Sequence, residues 1–154
     1  MVIHFRRTIL LAVLSLLGAS FVHSQSNQVV DVLLAQKEAT GAEVAYMALV
    51  GGGLLAETVT PQEALDQAAQ KGWLPKGLAP EAVLSLEEFS VLAMRSFNMK
   101  GGIGWMIFGS KRYAFRELVA LGIANGSGGS KRIPSGEEAL RMIGMVASSD
   151  RRKK

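Results

Sequence analysis

Apolar residues recur at spacings of three and four along this chain, in blocks about a dozen residues long. The block 85–97 presents Leu86, Phe89, Leu92, Ala93 and Phe97, and 135–147 presents Ala139, Leu140, Ile143 and Val146. Between them 111–121 carries Ala114, Phe115, Leu118 and Val119, and before them 61–71 carries Ala64, Leu65, Ala68 and Ala69. Val29, Val30, Leu33 and Leu34 mark an earlier block that runs toward Thr40. That spacing places one apolar stripe on each helix, and no segment keeps the alternation a strand requires. The pattern predicts an all-α protein.

Helix starts are written in one device. Thr40 with Glu43, Thr60 with Glu63, Ser85 with Glu88 and Ser135 with Glu138 all fit the S/T-x-x-E capping box. There the hydroxyl takes the third residue's N–H and the glutamate returns to the cap's own N–H. Pro61 follows its cap at the one helical position where a missing N–H costs nothing. Gly72 and Gly122 stand where the stripes stop, as left-handed terminating glycines do.

The same features return at an offset of fifty residues: Ala64-Leu65 and Ala114-Phe115, Gly72 and Gly122, Ser85 and Ser135, Glu87-Glu88 and Glu137-Glu138, Gly51-Gly52 and Gly101-Gly102. A self-similar period of that size signals stacked structural units. Each unit reads as a helix, a terminating glycine, a turn-rich connection and a capped helix. A degenerate copy over 28–50 precedes copies over 60–97 and 111–147, so three tandem helix pairs make one domain over 25–147.

The first two dozen residues belong to something else. Arg6 and Arg7 precede an apolar run from Thr8 to Val22, and Val22-His23-Ser24 offers a cleavage site before Gln25. That three-part layout predicts a secretory signal over 1–24, too short in its apolar run to span a bilayer comfortably. The chain is therefore expected to be exported, periplasmic or associated with the cell envelope. It has no cysteine, so neither disulfides nor a lipid-bearing cysteine are available to it. Fifteen basic and thirteen acidic side chains remain from Gln25 onward, and Arg151, Arg152, Lys153 and Lys154 supply four of the positives. A nucleic-acid-binding face is not indicated. Residues 148–154 read as a basic disordered tail.

The repeated motif resembles the S-layer homology module: an apolar helix ending in glycine, a loop, then T-R-A-E-F opening a second helix. Ala64 to Gly72 with Ser85 to Phe97, and Ala114 to Gly122 with Ser135 to Val146, carry the likeness, and Thr40-Gly41-Ala42-Glu43-Val44 is its first copy. More loosely, the chain is similar to small exported helical proteins of spirochaetal envelopes. Such modules come in threes and attach envelope proteins to wall polymers, which is what the resemblance implies here. The family's leading tryptophan is missing, and Gly41, Leu86 and Gly136 occupy the place of its arginine.

Chemistry is thinly supplied. Both histidines, His4 and His23, lie in the signal, so the mature chain offers no Ser/His or Cys/His nucleophile system and no zinc site built on those residues. Glu87, Glu88, Glu117, Glu137 and Glu138 are the carboxylates that could flank a glycosidic bond. Capping and the helix dipole already account for the two Glu-Glu pairs. No catalytic residue, cofactor or metal is expected.

The segment from Gly101 to Gly109 is too glycine-rich for a stable helix and too apolar for a solvated loop. Its simpler reading has Trp105, Ile107 and Phe108 tucked back to seal the junction between units. Its sharper reading is an exposed patch of Trp105 and Phe108, rimmed by Lys111, Arg112, Tyr113 and Arg116. Trp73, just past Gly72, is a terminating hydrophobic contact or a second ligand platform. The sequence thus points to a non-catalytic envelope protein, a structural or adaptor module that binds wall polymer or another envelope protein. The alternatives are a small carboxylate-dependent wall hydrolase and a membrane-associating protein using 99–109 and the basic tail.

Overall fold

Four helices begin where the sequence places its hydroxyl–glutamate pairs. The computed structural model describes residues 22–151, with the side chains of residues 26–149. Seven helices form among the described residues: α1 (Val22–Ala35), α2 (Gly41–Gly51), α3 (Pro61–Gln70), α4 (Leu86–Ser96), α5 (Ile103–Phe108), α6 (Lys111–Ala120) and α7 (Gly136–Arg151). The only extended pairing described is an isolated antiparallel bridge between Thr40 and Val83. The fold is all-α.

The four caps are made differently. At α3 the box is complete: the Thr60 N–H donates to Glu63 Oε2 at 2.7 Å and the Glu63 N–H donates to Thr60 Oγ1 at 3.2 Å. At α4 the box forms too, and Glu88 Oε2 accepts the Ser85 N–H at 3.1 Å. At α7 the Glu138 N–H donates to Ser135 Oγ at 3.2 Å, while the Glu138 carboxylate is taken by Arg132 through two bonds of 2.7 Å. At α2 the Thr40 N–H turns to Gln36 Oε1 instead, at 3.0 Å. The far ends of α3 and α6 close as the sequence predicts. Gly72 and Gly122 adopt φ of +70° and +69°, which lets the Trp73 and Ile123 N–H groups reach back to the Ala68 and Leu118 carbonyls.

Three inner helices, α2, α4 and α7, contact one another, and each carries an outer helix: α3 on α2, α6 on α4 and α1 on α7. Thus α3 and α6 lie on the inner helices that precede them, while α1 touches both α7 and α2. The inner helices are linked at their starts by a cycle of backbone bonds. The first N–H of α2, at Gly41, donates to Ala82 O at 2.8 Å, in the segment that enters α4. The first N–H of α4, at Leu86, donates to Arg132 O at 2.8 Å, before α7, and that of α7, at Gly136, donates to Gln36 O at 3.0 Å, before α2. First-turn N–H groups have no partner inside their own helix; here each finds one in the next segment around the ring.

The apolar stripes meet inside that ring. Leu33, Val44, Leu49, Leu65, Phe89, Leu92, Leu118, Met142 and Val146 are all buried there. Each such side chain contributes about 1.5–3 kcal/mol by leaving water. Tyr46 is fully buried as well, and its hydroxyl is satisfied by the Glu57 carbonyl at 2.9 Å.

Three sequence expectations need restating. The segment 101–109 does form a helix, the short α5, with Gly101, Gly102 and Gly109 outside it and Gly104 within. The chain stays helical through Arg151, so the disordered tail expected from 148 does not begin there. The Ser148 and Ser149 hydroxyls bond back to the Met145 and Val146 carbonyls, a geometry the helix tolerates. Residues 152–154 lie outside the described residues, as does the signal expected over 1–24 apart from its last three positions, which begin α1.

Candidate functional site

Helix α5 is held by one residue. Trp105 is 7% exposed and joins the core, while four neighbours point the other way: Ile103 is 76% exposed, Met106 71%, Ile107 67% and Phe108 63%. Ile103, Met106 and Ile107 stand at i, i+3 and i+4, so they share one side of the helix. A six-residue helix is too short to be stable alone. Its stability comes from the Trp105 anchor and from Gly109, whose left-handed conformation at φ +55° returns its N–H to Trp105 O at 2.9 Å.

The surroundings fix α5 closely. The Arg95 guanidinium, from α4, lies over the Trp105 ring at 4.7 Å from its centroid. Phe108 stacks on Tyr113 of α6, with ring centroids 5.1 Å apart and planes 14° apart. Arg116, one turn further on, covers Tyr113 at 6.0 Å. Gly104 makes the approach to Tyr113 feasible, since a Cβ there would lie 2.5 Å from the ring. Gly102, just before α5, faces the Glu117 carboxylate, which a Cβ would approach to 3.1 Å.

The sequence-predicted site residues are therefore partly gathered and partly reassigned. Phe108, Tyr113 and Arg116 form a continuous stack beside α5. Arg112 is exposed beside them. Trp105 turns inward as the anchor and is no part of an exposed face, whereas Ile107 and Phe108 face solvent and do not seal the junction. Lys111 reaches back to α4, where its Nζ meets Glu88 Oε1 at 2.9 Å. Trp73 stands apart, with the Lys71 ammonium 5.4 Å above its ring. It lines an open groove of about 770 Å³ with Gly51–Gly53, Lys71 and Arg95. Arg95 thus borders both that groove and α5.

Sequence reasoning missed Ile103, Met106 and Arg95. The first two carry a helical-face signal, but over so short a run that the glycines mask it. Arg95 is 18 positions or fewer from every member of the stack except Arg116, yet nothing in the sequence ties it to Trp105.

Of the carboxylates weighed for catalysis, three are engaged by cations, Glu137 is exposed, and Glu117 lies half-buried beside Gly102. Glu87 is nearly buried and held by Lys131 at 2.6 Å and by the Ser130 hydroxyl at 3.1 Å. Partial burial pushes the Glu88 carboxyl up, but bonds from Lys111 and Ser85 and the Lys111 charge outweigh it and hold the group below the usual carboxylate range. The Arg132 guanidinium does the same for Glu138, against the effect of burial. Glu137 lies exposed at an open polar hollow of about 520 Å³ with Arg132, Ser135, Glu138 and Arg141. Among the described residues no group of three or more His, Cys, Asp or Glu side chains gathers as a metal site would. No described helix is long and apolar enough to cross a membrane.

Compared with protein-family models, curated proteins and solved structures, the chain shows no significant match.

Proposed function

We propose that this chain is a non-catalytic, exported binding module of the cell envelope, a structural or adaptor protein that works through the outer face of α5. On this reading it is built of three tandem S-layer-homology-like helix units, and the cycle of bonds among the starts of α2, α4 and α7 is how the three units close on one another. The observation that carries the functional reading is the split on α5: Trp105 is buried to hold it, and Ile103, Met106, Ile107 and Phe108 are left in solvent. Ile103, Met106 and Ile107 contribute little to stability outside the core and Phe108 only its stack on Tyr113, and grouped exposure of this kind marks an interaction surface. The engaged carboxylates Glu87, Glu88 and Glu138 support a role without catalysis, because each is committed to a cation.

The test is a pull-down by the mature protein from envelope fractions, with sedimentation on purified wall polymer alongside. The variant is Ile107→Glu combined with Phe108→Glu. The proposal expects the variant to lose envelope components while its melting temperature stays within a few degrees of wild type. Recovery of the same components by the variant would overturn it.

A further inference from the structure

The rim of α5 points to what its face meets. From Met99 to Arg116 the chain carries Lys100, Lys111, Arg112 and Arg116 and no acidic residue at all. Lys111 is matched by Glu88. Lys100, Arg112, Arg116 and the adjoining Arg95 are exposed. Two of these cations are positioned and not merely nearby, since Arg95 lies over Trp105 and Arg116 over Tyr113. The surface is therefore a group of solvated apolar side chains set among guanidinium and ammonium groups.

Two occupants would fit apolar side chains, a protein or a lipid surface, and the residue types decide between them. Protein hot spots centre on Trp, Tyr and Arg packed into a partner's pocket. Here Trp105 is already spent inside the fold and Tyr113 is half covered beneath Phe108 and Arg116. What remains outside is Ile, Met, Ile and Phe, the types that enter the acyl boundary of a bilayer, with cations beside them at head-group level. One carboxylate, Glu117 beside Gly102, stands against Lys100, Arg112, Arg116 and Arg95, so the rim is net positive and complements a surface of anionic head groups.

We propose that α5 is an interfacial wedge for an anionic lipid surface: Ile103, Met106, Ile107 and Phe108 insert among acyl chains, and Lys100, Arg112, Arg116 and Arg95 meet the phosphates. The inference rests on the reading of the α5 face as the working surface and names its partner. Insertion needs no spanning helix, and the buried Trp105 keeps the wedge attached to a rigid body.

The experiment is co-sedimentation of the mature protein with vesicles of phosphatidylcholine alone and with vesicles containing phosphatidylglycerol. Binding is expected to the anionic vesicles, to be at least tenfold weaker on neutral ones, and to fall as salt rises. Ile107→Glu with Phe108→Glu should reduce it more than tenfold. Lys100→Gln with Arg112→Gln should reduce it by about twenty-five-fold, at roughly fivefold per cation. All four side chains are exposed, so thermal melting of each variant confirms a native fold. No binding of wild type to anionic vesicles, or equal binding by the Glu variant, would overturn the proposal. Suppose vesicles fail but the pull-down from envelope fractions remains sensitive to Ile107→Glu and Phe108→Glu. The lipid proposal then falls and the α5 surface stands, with a protein or polymer as its partner. Self-association lost in the Glu variant, read by sedimentation velocity, would instead assign the face to a second copy of this chain. If neither vesicles nor envelope components respond to the variant, both readings fall.

Discussion

Two connections in this molecule perform the same mechanical task with different material. Residues 52–60 lead from inner helix α2 to its outer helix α3, and residues 97–110 lead from α4 to α6. The first does so in a few turns: Leu55 and Val59 pack partly on the core, Tyr46 holds the Glu57 carbonyl, and a complete capping box opens α3. The second is five residues longer, and it contains a helix, an anchoring tryptophan, four exposed apolar side chains and Lys100, with Arg95 and Arg112 on the helices that flank it. Leu54, 45% exposed, is the nearest thing the first connection has to that surface. Since 52–60 shows that the scaffold can make the crossing without any of this, α5 is an addition to the scaffold and not a requirement of it. The proposed working surface is that addition, α5.

The comparison breaks most visibly at the anchor. Trp105→Ala removes a buried ring and the platform beneath Arg95, and should cost about 3–5 kcal/mol of stability. Leu54→Ala, its counterpart by location, should lie within about 0.5 kcal/mol of wild type, as exposed substitutions do. Urea unfolding of the two variants measures both, and a near-neutral Trp105→Ala would mean that α5 is not attached through it. Next in size is Gly104→Ala. Its methyl group would meet the Tyr113 ring at 2.5 Å, so α5 must lift or Tyr113 must turn. A loss of about 1–3 kcal/mol is expected, with the Phe108–Tyr113 stack disturbed in the aromatic circular dichroism.

Smaller effects come from charge pairs at the starts of the inner helices α4 and α7. Glu88 holds Lys111 at the end of 97–110, and its carboxyl is held below the ordinary value of 4.5. A carboxyl depressed on folding adds stability above its unfolded pKa and loses it as pH falls through the folded value. Glu138 behaves alike, through Arg132. Melting temperature should therefore be flat from neutral pH to about 5 and fall in the acid below the usual carboxylate range. Glu88→Gln should flatten part of that fall. It should cost only about 0.5–1 kcal/mol at neutral pH, because Lys111 is 44% exposed and glutamine still serves the cap.

Most of the fold is legible in the sequence, because its determinants are local. Capping pairs, stripes at three and four, and glycines at 72 and 122 act within a few residues of themselves, and each marks a helix end found in the structure. The order of packing is not legible. That α3 lies on α2, and that α1 reaches α7, depends on backbone bonds such as Gly136 to Gln36, which no periodicity encodes. For the candidate site, composition points to the stretch 101–116 but does not show that Trp105 turns inward while Ile107 and Phe108 face solvent. Six residues between glycines cannot show a period, and the inward turn of Trp105 is set by Arg95 and the core beneath it. Arg112, Tyr113 and Arg116 were legible as a rim because they fall on α6, a helix long enough to be read.

The contrast between the two connections can be tested by touch. A photo-reactive phenylalanine analogue placed at Phe108, and separately at Leu54, would report what each position contacts in intact envelopes. Because both positions are exposed, neither substitution should disturb folding. The account predicts that position 108 cross-links to an envelope component and that position 54 gives little or nothing. Equal labelling from both positions, or labelling from 54 alone, would contradict it.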